Sequence, residues 1–108
     1  MNFVTKDEFL NSNNLKKMDL KIKEWGGMFR VQELSGSGRD EFESFCMEAK
    51  NTSGIRSKLV SLSFVGEDGL PMFTPQEIAS KCFAGLEVAF KAVKKFNLMD
   101  EIEEVEKN

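Results

Sequence analysis

Met18-Asp19-Leu20-Lys21-Ile22-Lys23-Glu24-Trp25-Gly26-Gly27-Met28-Phe29-Arg30-Val31-Gln32 is the stretch on which the fold turns. Met18, Leu20 and Ile22 alternate with Asp19, Lys21 and Lys23, the period-two pattern of a strand with one buried face. Gly26-Gly27 supplies a turn with Trp25 at the bend, and beyond it Phe29 and Val31 alternate with Arg30 and Gln32. The stretch therefore predicts an antiparallel hairpin.

Helices are predicted on both sides of it. A hydroxyl cap followed three residues later by an acid occurs at Thr5 with Glu8, Ser37 with Asp40, and Thr74 with Glu77. Val4 against Phe9 and Phe73 against Ile78 add hydrophobic staples, and Pro75 stands at a first helical position, where its missing N–H costs nothing. Asn11-Ser12-Asn13-Asn14 ends the short first helix. The second runs from Gly38 to Ala49, with Phe42, Phe45, Cys46 and Ala49 on one buried face and Glu41, Glu43 and Glu48 outside.

Lys50 to Gly54 reads as a mobile loop, after which Val60, Leu62 and Phe64 alternate with Ser61 and Ser63 as a central strand. Gly66-Glu67-Asp68-Gly69 turns the chain back into Leu70 to Phe73, an edge position because Pro71 lacks a donor. That makes a second hairpin. From Pro75 to Phe96 the apolar residues form a helical stripe about 140° wide, more than packing on one layer requires, and Gly85 is a candidate break. The excess lies at Phe83 and Phe90, which border the stripe and are available to a second helix or a partner protein.

The last segment, Asp100 to Asn108, is a short helix or tail with five carboxylates against one lysine and with Leu98, Ile102 and Val105 as apolar contacts. The expected fold is α+β, a small antiparallel sheet of two hairpins packed against several helices, with the C-terminal half mainly helical. All of it forms one domain over residues 1–108, a length suited to a single core.

Composition narrows the function. A net charge of -3 disfavours nucleic acid and membrane surfaces, both of which attract a cationic excess. No apolar run approaches the roughly 18 to 20 residues that span a bilayer, and Met1-Asn2-Phe3-Val4-Thr5 lacks the pattern of a signal peptide, so the cytoplasm is expected. Cys46 and Cys82 are expected as buried thiols on helix faces. There is no histidine and no tyrosine, which removes the usual carriers of acid-base and zinc chemistry.

Neighbouring acids such as Asp7 with Glu8, or Glu103 with Glu104, point to different sides of a helix. Asp68-Gly69 is a turn, not a calcium loop, and Ser35-Gly36-Ser37-Gly38 lacks the Gly-Lys-Ser/Thr ending of a phosphate cradle. Neither cysteine has a CxxC partner. The expectation is a protein that is not an enzyme and uses neither metal nor cofactor.

One ordered set of motifs goes further. It comprises Thr5-Lys6-Asp7-Glu8-Phe9-Leu10, Trp25-Gly26-Gly27, Phe29 to Gly36, Arg39-Asp40-Glu41-Phe42-Glu43, Glu67-Asp68-Gly69, Phe73-Thr74 and Glu103 to Asn108. Together these resemble the tail assembly chaperones of long, non-contractile-tailed phages and their prophages. The resemblance implies a role in virion morphogenesis in the bacterial host cytoplasm: coating the tape-measure protein, keeping it soluble, and recruiting the tail-tube protein. It also implies a longer frameshifted form of the same chain as a partner. The chain departs from the family pattern in Lys91, Lys94 and Lys95 and in Phe96-Asn97-Leu98-Met99, where a glycine-containing break is commoner.

Phe83, Phe90, Leu98 and Ile102 are the residues assigned to partner contact, and self-association is expected through the Phe83 and Phe90 border. The alternative is a structural head-tail connector or tail-completion protein that stays in the virion.

Overall fold

A computed structural model of the chain describes residues 2–12, 14–49 and 52–99. Strands β1 (Lys17–Ile22) and β2 (Gly27–Gln32) pair antiparallel, with Met18 opposite Val31 and Leu20 opposite Phe29. Ile22 and Val31 are fully buried, while Lys17, Asp19 and Lys21 face outward, as the alternation requires. A 3-10 turn, Lys23–Trp25, joins the strands and closes on Gly26 at a φ of 87°, a left-handed conformation that glycine adopts without strain.

Five helices accompany this sheet among the described residues: α1 (Lys6–Asn11), α2 (Gly36–Glu48), α3 (Thr52–Ser63), α4 (Pro75–Ala79) and α5 (Phe83–Phe96). The fold is α+β with a mainly helical C-terminal half. Two of the expected caps form. The Thr5 hydroxyl accepts from the Glu8 N–H at 3.1 Å. Thr74 and Glu77 make a reciprocal capping box behind Pro75. The third is displaced by two residues: Ser35, not Ser37, caps α2 by accepting from the Gly38 N–H at 3.1 Å. Phe42 is buried on α2 as expected, whereas Phe45 and Cys46 are only half-buried.

The expected central strand is a helix. Residues 60–63 continue α3, and the polar loop expected at 50–54 is already helical from Thr52, with Lys50 and Asn51 outside the described residues. The reason lies in the surroundings of α3, which packs against α2, α4 and α5 at once. Ser57, Ser61 and Ser63 are as buried as Leu59 and Val60. The Val-Ser-Leu-Ser-Phe alternation therefore does not separate core from solvent, because small serines line an interior helix. Ser61 satisfies its hydroxyl on the Lys58 carbonyl at 2.8 Å.

Of the second hairpin a single bridge remains among the described residues, pairing Val65 with Pro71, and another joins Phe64 to Val31 of β2. The Val65 N–H donates to the Arg30 carbonyl and the Met72 N–H to the Phe64 carbonyl, both at 3.0 Å. The Gly66 to Gly69 turn stands as expected, and the Leu70 N–H donates to Asp68 Oδ1 at 3.0 Å. Pro71 takes an outer bridge position, where no donor is needed.

The helix expected from Pro75 to Phe96 breaks at Ser80–Cys82, not at Gly85. Ser80 ends α4 by donating its hydroxyl to the Glu77 carbonyl at 2.7 Å, and Cys82 is the residue before α5, exposed and not buried as expected. Gly85 lies inside α5, buried beneath Trp25. At the other end Asn97 terminates α5. Its Nδ2 donates to the Val93 carbonyl at 3.0 Å, and its Oδ1 accepts from the Leu34 N–H at 2.8 Å, which ties the end of α5 to the segment leading into α2.

The core gathers Ile22 and Val31 from the hairpin, Phe42 from α2, Leu59 and Val60 from α3, Phe64, and Leu86, Ala89 and Val93 from α5. Among the described residues no helix is long and apolar enough to cross a membrane.

Candidate functional site

Helix α5 carries its core residues on one side and leaves Phe83, two turns before Phe90, at the edge. Phe83 is 56% exposed; Phe90 is half-buried and packs against the core. Arg56 of α3 brings them together. Its guanidinium carbon lies 5.4 Å from the centre of the Phe83 ring and 5.7 Å from that of Phe90. Lys94, one turn further along α5, places its Nζ 4.9 Å from the centre of the Phe90 ring. Cation–π attraction favours each of these positions.

The result is a face on which aromatic rings alternate with positive charge. Among the described residues no carboxylate lies within ion-pairing distance of Arg56. Lys94 and Lys95 stand in the last turn of α5, where the helix dipole favours cations. Lys91 is paired with Glu87 at 3.2 Å. A carboxylate-bearing apolar segment meets complementary chemistry here.

Leu98 lies just past the end of α5. It is 70% exposed and holds a φ of 60°, the one non-glycine residue with positive φ among those described. A large apolar side chain in a left-handed conformation is strained, and such positions cluster at functional sites. Ile102 lies outside the described residues, as does the whole acidic segment 100–108. Arg56 was not foreseen as part of this face, because its position follows only once α3 is known to be helical.

A separate depression of about 830 Å³ opens between the 3-10 turn and α4, floored by Trp25, Phe29, Phe73 and Ile78. Its rim mixes Lys23 and Lys81 with Glu24 and Glu77, so it presents no single sign of charge to a ligand. The two thiols differ. Burial, and secondarily the Glu43 carboxylate, push the Cys46 thiol above its ordinary pKa, whereas Cys82 is exposed, with Sγ 3.8 Å from the Glu24 carbonyl. Among the described residues no three histidine, cysteine, aspartate or glutamate side chains cluster as metal ligands.

Comparison with known protein families, with curated proteins and with solved structures finds no match to this chain.

Proposed function

We propose that the chain is an assembly chaperone of the phage-tail type, acting in the host cytoplasm without catalysis. It holds a long helical partner, the tape-measure protein, soluble until tail-tube protein replaces it. The observation that carries this reading is the Arg56–Phe83–Phe90–Lys94 face. It combines an exposed aromatic, a guanidinium with no carboxylate at ion-pairing distance among the described residues and a strained exposed leucine beyond it, as a surface for amphipathic helices with acidic flanks requires. The ordered sequence motifs that resemble tail assembly chaperones point the same way.

Co-expression with the long coiled-coil tape-measure protein tests it. The wild-type chain is expected to move that product into the soluble fraction. Phe83→Ala and Arg56→Ala should reduce the effect while the chain itself stays folded. Failure to solubilise the partner, or recovery of the chain as a fixed component of purified particles, would favour a structural subunit of the virion instead.

A further inference from the structure

Among the described residues the sheet stops at β1. Lys16 stands opposite Glu33 in the hairpin register, and the Glu33 N–H donates to the Lys16 carbonyl at 2.9 Å. Ladder bonds of an antiparallel pair recur at every second residue, so Met18, Leu20 and Ile22 turn their backbone groups toward β2. Lys17, Asp19 and Lys21 turn theirs away from it. On the far side of the hairpin the Arg30 carbonyl, opposite Asp19 in register, also points outward, and there it accepts from the Val65 N–H. β1 has no such neighbour: among the described residues no backbone hydrogen bond reaches Lys17, Asp19 or Lys21 from the outer side.

An open strand edge is a template for another strand, and proteins usually blunt it with a bulge, a proline or a covering segment. Residues 17–22 contain no proline and pair without a bulge. Residues 2–12 are all exposed, Phe9 at 67% and Leu10 at 65%, so that segment does not pack over the edge. Beside the edge, between β1 and the last turns of α5, lies a groove of about 480 Å³ lined by Lys16, Met18, Leu20, Ala92, Lys95 and Phe96. Its floor is apolar. Lys16, Lys17, Lys21 and Lys95 surround edge and groove, with Asp19 as the carboxylate among them, and none of these five groups is ion-paired among the described residues.

We propose that the outer edge of β1 is a strand-addition site for an extended acidic segment of a partner protein. The free backbone groups of Lys17, Asp19 and Lys21 supply the ladder, and the groove takes side chains from alternate positions of the added strand. Side chains on its other face meet Lys17 and Lys21, which favours acids there. The same charges select against a second copy of β1. In a two-fold antiparallel pairing centred on Asp19, Asp19 would face Asp19 and Lys17 would face Lys21, like charge against like. Ala92 lies about 180° around α5 from Phe83 at about 100° per residue, so an added strand leaves the Arg56–Phe83–Phe90 face free for a helix.

Residue-resolved amide exchange of the full chain, with and without an end-blocked heptapeptide alternating valine with glutamate, tests this. In the free chain the Lys17, Asp19 and Lys21 amides should exchange faster than those of Met18 and Leu20. Saturation with the peptide should slow all three about tenfold or more. Methylating one alternate set of peptide nitrogens should abolish binding and methylating the other should be tolerated, because only one row of amides faces β1. Lys16→Glu with Lys95→Glu, both exposed, should weaken binding about fivefold or more at an unchanged melting temperature. Phe83→Ala should bind the peptide like the wild type, which keeps this outcome distinct from that of the chaperone assay. Strand addition is overturned if the three amides are already protected in the free chain, or if the peptide does not bind. Equal tolerance of both methylated peptides, or a helical bound peptide, overturns it as well.

Discussion

The indole of Trp25 lies in the space that a side chain on Gly85 would occupy, so the 3-10 turn of the hairpin is seated directly on the backbone of α5. Gly85→Ala gains about 1 kcal/mol of helix propensity but forces the indole, its nearest neighbour, to move, at a cost of about 1 to 3 kcal/mol. The net expectation is a lower urea midpoint. Gly36→Ala, where nothing lies within 4 Å of the added carbon, serves as the control and should not lower it.

Phe42 and Phe64 are buried, at 8% and 1% exposure, and each should lose about 3 to 5 kcal/mol on truncation to alanine. Phe45, half-buried beneath Lys58 with Nζ 5.6 Å from the ring centre, should lose less. Phe83→Ala should lower the calorimetric melting temperature least of the four, since that ring is more than half exposed. A fall as large as that of Phe64→Ala would return Phe83 to the core and remove it from the candidate partner face.

Ser57 Oγ and Ser63 Oγ are buried without a hydrogen-bond partner among the described residues. Leaving a buried hydroxyl unsatisfied costs about 1 to 3 kcal/mol, so Ser63→Ala should leave stability unchanged or raise it by about 1 kcal/mol. Chemical denaturation checks this directly, and clear destabilisation would mean that the hydroxyl has a partner in solution.

Leu98 combines strain with exposure, and the two effects can be separated. Leu98→Gly relieves the left-handed backbone and should stabilise the fold by about 1 kcal/mol, net of the extra freedom glycine gives the unfolded chain. If Leu98 anchors the partner, the same change should lower tape-measure solubilisation. Opposite signs in the two assays are the expected outcome.

Maleimide should label Cys82 well before Cys46 at neutral pH, because Cys82 is exposed and Cys46 holds its proton more tightly. Cys46 has a raised pKa in the folded state, so its contribution to stability is present below the ordinary thiol range and is lost as pH rises through the folded value. Alkaline titration of the denaturant midpoint should therefore fall less steeply in Cys46→Ser.

The hairpin was legible because its two faces meet different media, which writes a period of two into residues 18–32. Thr5 and Thr74 were legible because a cap is local chemistry. Ser35 and Ser37 present nearly the same local signal, each with glycine beside it, and the bond to Gly38 selects Ser35. The α3 segment was misread for the opposite reason: packed against three helices, it buries Ser57, Ser61 and Ser63 and leaves Arg56, Lys58 and Leu62 partly exposed, so polarity does not mark its solvent side. Phe83 and Phe90 were visible as the border of a stripe, but Arg56 was not, since the pairing depends on how two helices cross. The exposure of Phe9 was equally hidden. An amphipathic turn has the same pattern whether it covers its own core or another chain.

Trp25 is the only tryptophan, and the chain has no tyrosine. Its Nε1 donates to the Cys82 carbonyl at 3.4 Å across 57 residues of sequence, and its ring meets Phe29 and Phe64 edge-on. Its fluorescence is therefore a one-site optical record of the hairpin docking on α5, uncontaminated by other emitters. Circular dichroism follows all the helices together. Because closing so long a loop is entropically slow compared with forming local helix, stopped-flow refolding should show ellipticity developing ahead of the emission change. The delay between the two signals times the moment at which the N-terminal and C-terminal halves become one structure.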